Sequence, residues 1–295
     1  MINKVASIPK VKLIECPRDA MQGLDYFIPT EQKIRYLNAL LDVGFDTIDC
    51  GSFVSPKAIP QMADTADVIR RLNWSPEKSA LLVIVANRRG AQEAVAYEQI
   101  QYVGFPFSIS ETFQLRNTNA TCEASVGRVE EIQNLCHNHG KTLVVYLSMA
   151  FGNPFGDPWH EEMLLQWLEK LKQLEVTHFS LADTVGLADA ERIRQVLQKV
   201  LPYASDLEIG LHLHTTPDTW KEKIEAAWAC GCFRYDGALR GYGGCPMASD
   251  RLVGNMPMEN LIAFFENQQI PTGVDREHLA YALQLAAEIF QPAHA

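Results

Sequence analysis

Short runs of apolar and β-branched residues alternate along the chain with segments whose apolar residues recur every three or four positions. The runs predict strands and the periodic segments predict amphipathic helices. Eight strands are expected: Val11 to Cys16, Asp46 to Cys50, Ser79 to Val85, Gln99 to Phe105, Thr142 to Met149, Val176 to Ala182, Leu207 to His214 and Arg234 to Ala238. Thr30 is placed to cap a helix with Ile34, Leu37, Leu40 and Leu41 on one face. Further helices are expected over Pro60 to Leu72, Arg88 to Tyr97 and Glu123 to Asn138, the last ended by Gly140. Met163, Leu164, Trp167, Leu168 and Leu171 mark another, and Ile193, Val196, Leu197, Val200 and Leu201 the next. Thr216 and Pro217 read as the cap and first residue of a helix. Pro257 to Asn267 and Asp275 to Phe290 close the chain as helices. Pro106 to Thr121 shows no period and is expected to be a long polar loop. Strands that alternate with helices in this way predict an α/β fold, a (β/α)8 TIM barrel with an extra C-terminal helix. A doubly wound open sheet is the alternative that the same alternation allows.

Length and composition narrow the picture. At 295 residues, with no composition shift or flexible linker, one catalytic domain over residues 1–295 is expected. The longest fully apolar run, Ala80 to Ala86, is far too short to span a bilayer, so no membrane partner is expected. A net charge of −10 argues against general nucleic-acid binding, which needs basic surfaces. The seven cysteines have irregular spacing and no C-x-x-C pair, which points to a reducing, cytoplasmic setting.

In a barrel, chemistry sits at the C-terminal ends of the strands. Polar residues gather there: Arg18, Asp19 and Gln22 after the first strand, Asp49 on the second, Asp183 and Thr184 on the sixth. The seventh ends in G-L-H-L-H-T-T, Gly210 to Thr216. Residues two apart on a strand face the same way, so His212 and His214 project side by side. The loop after the eighth strand carries Cys245 and Asn255. Strands 7, 8 and 1 become neighbours on closure, so Asp19, His212 and His214 can meet, with Asn255 approaching from between. Two imidazoles, a carboxylate and an amide oxygen suit a divalent cation with open positions. Oxygen-rich substrates favour Mg²⁺ or Mn²⁺, with Zn²⁺ or Fe²⁺ as alternatives. Arg18, permanently charged and fork-shaped, suits a carboxylate or a developing enolate oxygen. Gly241, Gly243 and Gly244 give the loop before Cys245 the character of a lid, and an exposed thiol there suits a general acid. Cys16, Cys50, Cys122, Cys136, Cys230 and Cys232 read as structural.

R-D-A-M-Q from Arg18, S-F-V-S-P-K from Ser52, S-E-T-F from Ser110, D-T-V-G from Asp183, H-L-H-T, G-G-C-P and G-N-M-P-M-E from Gly254 occur in one order. That order resembles the 3-hydroxy-3-methylglutaryl-CoA lyases, metal-dependent TIM-barrel lyases that share an R-D-G motif. The resemblance runs from about residue 10 to residue 270. It implies Asp19, His212, His214 and Asn255 as metal ligands, Arg18 as the substrate-contacting arginine and Cys245 as the catalytic cysteine of a mobile loop. Asp49 and Glu259 match acidic positions near the site, Asp49 where a glutamate is usual. Arg18 and Asp49 are thus the expected substrate-binding residues.

The reaction implied is a metal-assisted retro-Claisen cleavage of an acyl-CoA thioester to acetyl-CoA and acetoacetate. His212 or a nearby carboxylate would take the hydroxyl proton, Arg18 would stabilise the enolate, and Cys245 would protonate its carbon. A homo-oligomer, a dimer, is expected. The chain departs from the pattern at Ala20, where the motif has glycine, at Thr215, where an aspartate commonly follows the histidines, and in G-N-P-F-G-D-P-W after the fifth strand. Alanine would strain the turn if that glycine takes a positive φ. Three other readings stand beside the main one. They are a lyase or aldolase for a related 3-hydroxyacyl-CoA or hydroxy-oxo acid, a condensing acyltransferase of the isopropylmalate synthase type, and a silent barrel kept for binding.

Overall fold

The computed structural model describes residues 10–203, 206–244 and 253–290. Eight parallel strands close into a barrel: β1 Lys12–Glu15, β2 Thr47–Ser52, β3 Ala80–Ile84, β4 Ile100–Ser108, β5 Thr142–Ser148, β6 His178–Asp183, β7 Glu208–Thr215 and β8 Arg234–Gly237. Each pairs with its sequence neighbour, and β1 pairs with β8, Lys12 opposite Arg234 and Glu15 opposite Gly237. The expected closure of strands 7, 8 and 1 is therefore present, and the open sheet is excluded. A two-residue strand, β9 Gly254–Asn255, joins the end of β7 antiparallel, with Asn255 opposite His214.

Helices α1 Pro17–Gln22, α2 Thr30–Val43, α3 Thr65–Arg71, α4 Arg88–Ala94, α5 Glu111–Thr118, α6 Cys122–Asn138, α7 Glu161–Lys172, α8 Ala190–Val200, α9 Trp220–Ala229 and α10 Met258–Asn267 surround the barrel. The extra helix, α11 Arg276–Phe290, lies against α2, where Phe290 meets Tyr36 edge to face. Among the described residues no helix is long and apolar enough to cross a membrane. The outer faces of the strands and the inner faces of the helices share one large apolar core, from Leu13 and Ile48 to Leu285. A second, small cluster of Leu82, Ile84, Val144 and Tyr146 belongs to β3 and β5. On β6, β7 and β8, buried Ser180, His212, His214, Arg234 and Asp236 are polar.

Several expectations need correction. Pro106 to Thr121 is not a loop: Pro106 to Ser108 extend β4, and α5 follows. Ser110 caps α5 by accepting the N–H of Phe113, and Asn119, at φ +50°, ends it. Its weak amphipathy hid it from a periodicity test. Pro60 to Leu72 is a 3₁₀ turn, Pro60–Met62, followed by α3. Thr30 does not cap α2, since Pro29 holds that position and the Thr30 hydroxyl donates to Asp64. Thr216 does not start α9. The Thr219 hydroxyl accepts the Thr216 N–H, and this closes a turn before Trp220. His139 caps α6, and Gly140 follows at φ +64°.

Candidate active site

Pro17 starts α1 directly after β1, because its missing N–H costs nothing in a first helical turn. The tight turn folds Arg18, Asp19 and Gln22 back over the barrel mouth. Ala20 is an ordinary helical residue there, not one of positive φ, so it brings no strain. Ligand atoms of Asp19, His212 and His214 all lie within 4.8 Å of one another, and the three residues are buried. Asn255 completes the group from β9: its Nδ2 donates to Asp19 Oδ2 at 2.7 Å and to the Tyr242 carbonyl at 2.9 Å. Among the described residues its amide oxygen accepts no hydrogen bond. Thr215 donates to the Asn255 carbonyl at 3.3 Å, fastening β9 to β7.

Both imidazoles are held through Nδ1. His214 Nδ1 lies 2.8 Å from the Asp183 carbonyl, which can only accept, so Nδ1 carries the proton. Its Nε2 is buried with no partner among the described residues. Buried Lys223 braces this strand end, donating to Asp183 Oδ2 and to the His214 carbonyl. His212 Nδ1 lies 3.3 Å from Asp236 Oδ2. Burial, with His212 close by, lowers the His214 pKa and keeps the ring neutral. For His212 burial acts the same way, but the Asp236 hydrogen bond and the charges of Asp19 and Asp236 outweigh it and raise the pKa. Burial of Asp19 is outweighed by Arg18 and the two histidines, which hold its carboxyl down at about 2.

Arg18 is almost fully engaged. Nε donates to both Asp49 oxygens, at 3.2 and 3.0 Å, and Nη2 to Asp49 Oδ2 at 2.5 Å. Nη1 donates to Asp19 Oδ1 and Gln22 Oε1. Of five N–H groups one, on Nη2, is left for a substrate oxygen. Burial alone would lower the arginine pKa; the Asp49 and Asp19 carboxylates raise it. Asp49 is fully buried behind Arg18 and grips it.

A cleft of about 370 Å³ opens over these groups. Its lining includes Arg18, Asp19, His212 and His214 and the apolar Val54, Ile84 and Phe113. Asp183 and Glu259 do not line it. Glu259 accepts the N–H of Arg240 and anchors the root of the glycine loop. Gly243 packs against Asn255 and Ala20: a Cβ there would come within 2.7 Å of Asn255 Nδ2 and 2.8 Å of Ala20 Cα. Cys245 lies outside the described residues. Cys16, Cys50, Cys122, Cys136, Cys230 and Cys232 carry free thiols, all of them buried except half-buried Cys230.

The HMGL-like family model matches residues 10–286. The chain belongs to the HMGL-like family. It is 31% identical over 273 residues to a hydroxymethylglutaryl-CoA lyase of Bacillus subtilis, covering 92% of this chain and 90% of that protein. It is 29% identical to an (R)-citramalyl-CoA lyase of Chloroflexus aurantiacus, over 94% of this chain and 90% of that one. The structure of an HMG-CoA lyase from Acinetobacter baumannii, in complex with coenzyme A and 3-methylmalate, superposes with a TM-score of 0.87 at 28% identity, covering 97% of each chain. Membership in the HMGL-like family, with these relatives, makes the chain a lyase.

The sequence reading missed α1, β9, Asp236 and Lys223. One signal for Asp236 was there to see: a carboxylate in the middle of the eighth strand, on the same face as Arg234.

Proposed function

We propose that the chain cleaves 3-hydroxy-3-methylglutaryl-CoA to acetyl-CoA and acetoacetate. One observation carries this reading: Asp19, His212 and His214 converge beside Arg18 at the barrel mouth of a chain from the HMGL-like family. The donor set fits a divalent cation: the buried Nε2 of His214 has no partner among the described residues and is free to donate its lone pair. Asp19, His212, His214 and Asn255 would hold it, and hard oxygen donors from chain and substrate favour Mg²⁺ or Mn²⁺. When bound, the cation supplies the charge that acidifies the substrate hydroxyl.

The chain's own groups account for the rest. With both His212 nitrogens engaged, a nearby carboxylate takes the C3 hydroxyl proton. C3 and its oxygen become the ketone of acetoacetate as the C2–C3 bond breaks, and the bond's electron pair passes to C2, giving the acetyl-CoA enolate. Arg18 offers its spare N–H to the enolate oxygen, where charge develops, and Asp49 and Gln22 keep the guanidinium from swinging away. Cys245, following the glycines on the loop rooted at Leu239 and Arg240, delivers the proton to C2.

A second reading has the same residues cleaving a citramalyl-CoA, and the similarity to the Chloroflexus lyase favours it. Offering each thioester separately, and assaying acetyl-CoA with the accompanying oxo acid, tests both. Acetoacetate release from the methylglutaryl thioester supports the first reading. Turnover confined to citramalyl-CoA supports the second, and turnover of neither removes both.

A further inference from the structure

Beneath the pair of histidines lies a buried polar chain that the cleavage chemistry does not use. Asp236, on β8, is 2% exposed. Its Oδ2 accepts from Ser180 Oγ at 3.1 Å and lies 3.3 Å from His212 Nδ1. Its Oδ1 faces the Arg234 guanidinium at 3.3 Å. Arg234 in turn reaches Glu208, Nε to Oε1, at 3.4 Å. Room for the arginine comes from Gly210: a Cβ there would come within 3.0 Å of Arg234 Cγ and Cδ. The carboxylate thus has a hydrogen bond from Ser180 on one oxygen and an ion pair with Arg234 on the other before it meets the imidazole.

Cys16 also brings its sulfur within 4.8 Å of His212 and Asp236. A second cation site there is disfavoured by charge, since the Arg234 guanidinium already faces Asp236. The Cys16 thiol is moreover held protonated by burial and by the surrounding carboxylates. The cluster reads as support for His212.

We propose that Asp236, held by Ser180 and Arg234, is a positioning residue that fixes His212 as the Nδ1–H tautomer and turns Nε2 toward Asp19. The two histidines reach the same tautomer by different means, His214 through a backbone carbonyl and His212 through a carboxylate. A carbonyl cannot be mutated away, whereas Asp236 can, and that makes His212 the adjustable member of the pair. A carboxylate behind an imidazole also makes the ring a stronger donor to a cation. The inference rests on the metal-centre reading above only for its consequence, not for the tautomer itself.

The variant Asp236→Asn is diagnostic. Arg234 draws the amide oxygen to the Oδ1 side, so the amide NH₂ faces His212 and offers a donor where Nδ1–H needs an acceptor. The ring then flips to Nε2–H, which places a proton where a cation would bind. Histidine ¹⁵N NMR of metal-free protein at about pH 9, above the histidine range, reads the tautomer directly, with His212→Gln identifying the signal. Mn²⁺ affinity, read by electron paramagnetic resonance, gives the consequence. We expect Nδ1–H at His212 in the wild type, Nε2–H in the variant, and Mn²⁺ binding weakened about 10- to 100-fold. Asp236→Glu should restore part of the affinity. Nε2–H in the wild type overturns the proposal, whether or not the variant folds. So does an Asn variant that keeps the wild-type tautomer and Mn²⁺ affinity. A wild type that shows Nδ1–H but binds no Mn²⁺ upholds the positioning and defeats the metal centre instead.

Discussion

Asn255 donates its side-chain N–H to the Asp19 carboxylate at 2.7 Å, joining residues 236 positions apart in the sequence. The bond links α1 to β9, and the same amide donates to the Tyr242 carbonyl. One amide therefore positions a carboxylate and holds the Tyr242 backbone beside it. Asn255→Ala should remove a hydrogen bond to a charged group, worth about 1.5–3 kcal/mol. The expected result is Mn²⁺ affinity down tenfold or more, measured by calorimetry, with the circular dichroism spectrum unchanged.

Arg18 should not be replaceable by lysine. An ammonium cannot reproduce the fork that meets both Asp49 oxygens while Nη1 reaches Asp19 and Gln22. Arg18→Lys should lower kcat about 100- to 1,000-fold, the effect of losing a donor to a developing oxyanion. KM should change far less, and steady-state kinetics separates the two.

Much of this was legible in the sequence, for physical reasons. Barrel strands are buried on both faces and read as apolar runs, and the stripes of α7 and α8 are strong. His212 and His214 share a face by strand parity alone. The remainder escaped because its signals are short or non-local. Six residues of α1 and two of β9 are too few for any period to emerge. Polar α5 packs few apolar residues, with Phe113 and Gln114 buried, and takes its order from Ser110 and from Asp157, which is 45 residues away from Thr112. Asp236 meets His212 only because β8 pairs with β7, His212 opposite Asp236.

The metal-free protein should lose stability in acid partly through Asp19. Its pKa falls from 3.8 to about 2 on folding, so the stabilisation is full above the unfolded value and disappears as pH drops through the folded one. The shift is worth roughly 2–3 kcal/mol at neutral pH. Asp19→Asn should therefore lose less stability than the wild type between about pH 4 and pH 2, as followed by urea unfolding.

Asp157 ties the loop after β5 to α5. It accepts from the Ser110 hydroxyl at 2.5 Å, the Thr112 N–H at 2.9 Å and the Thr112 hydroxyl at 2.8 Å. Helix α5 supplies Phe113, Asn117 and Thr118 to the cleft wall. Asp157→Ala should cost about 2 kcal/mol in urea unfolding. It should raise KM for the thioester more than it lowers kcat, because α5 lines the cleft without belonging to the Asp19, His212 and His214 group.

If Asp19, His212, His214 and Asn255 hold a divalent cation, thioester cleavage depends on it. Acetoacetate release from 3-hydroxy-3-methylglutaryl-CoA, measured on chelator-stripped protein before and after adding back Mg²⁺ or Mn²⁺, tests it most directly. We predict no release from the stripped protein and full recovery on adding either ion, with no recovery in His214→Ala. Undiminished release from protein shown by elemental analysis to carry no metal would contradict it.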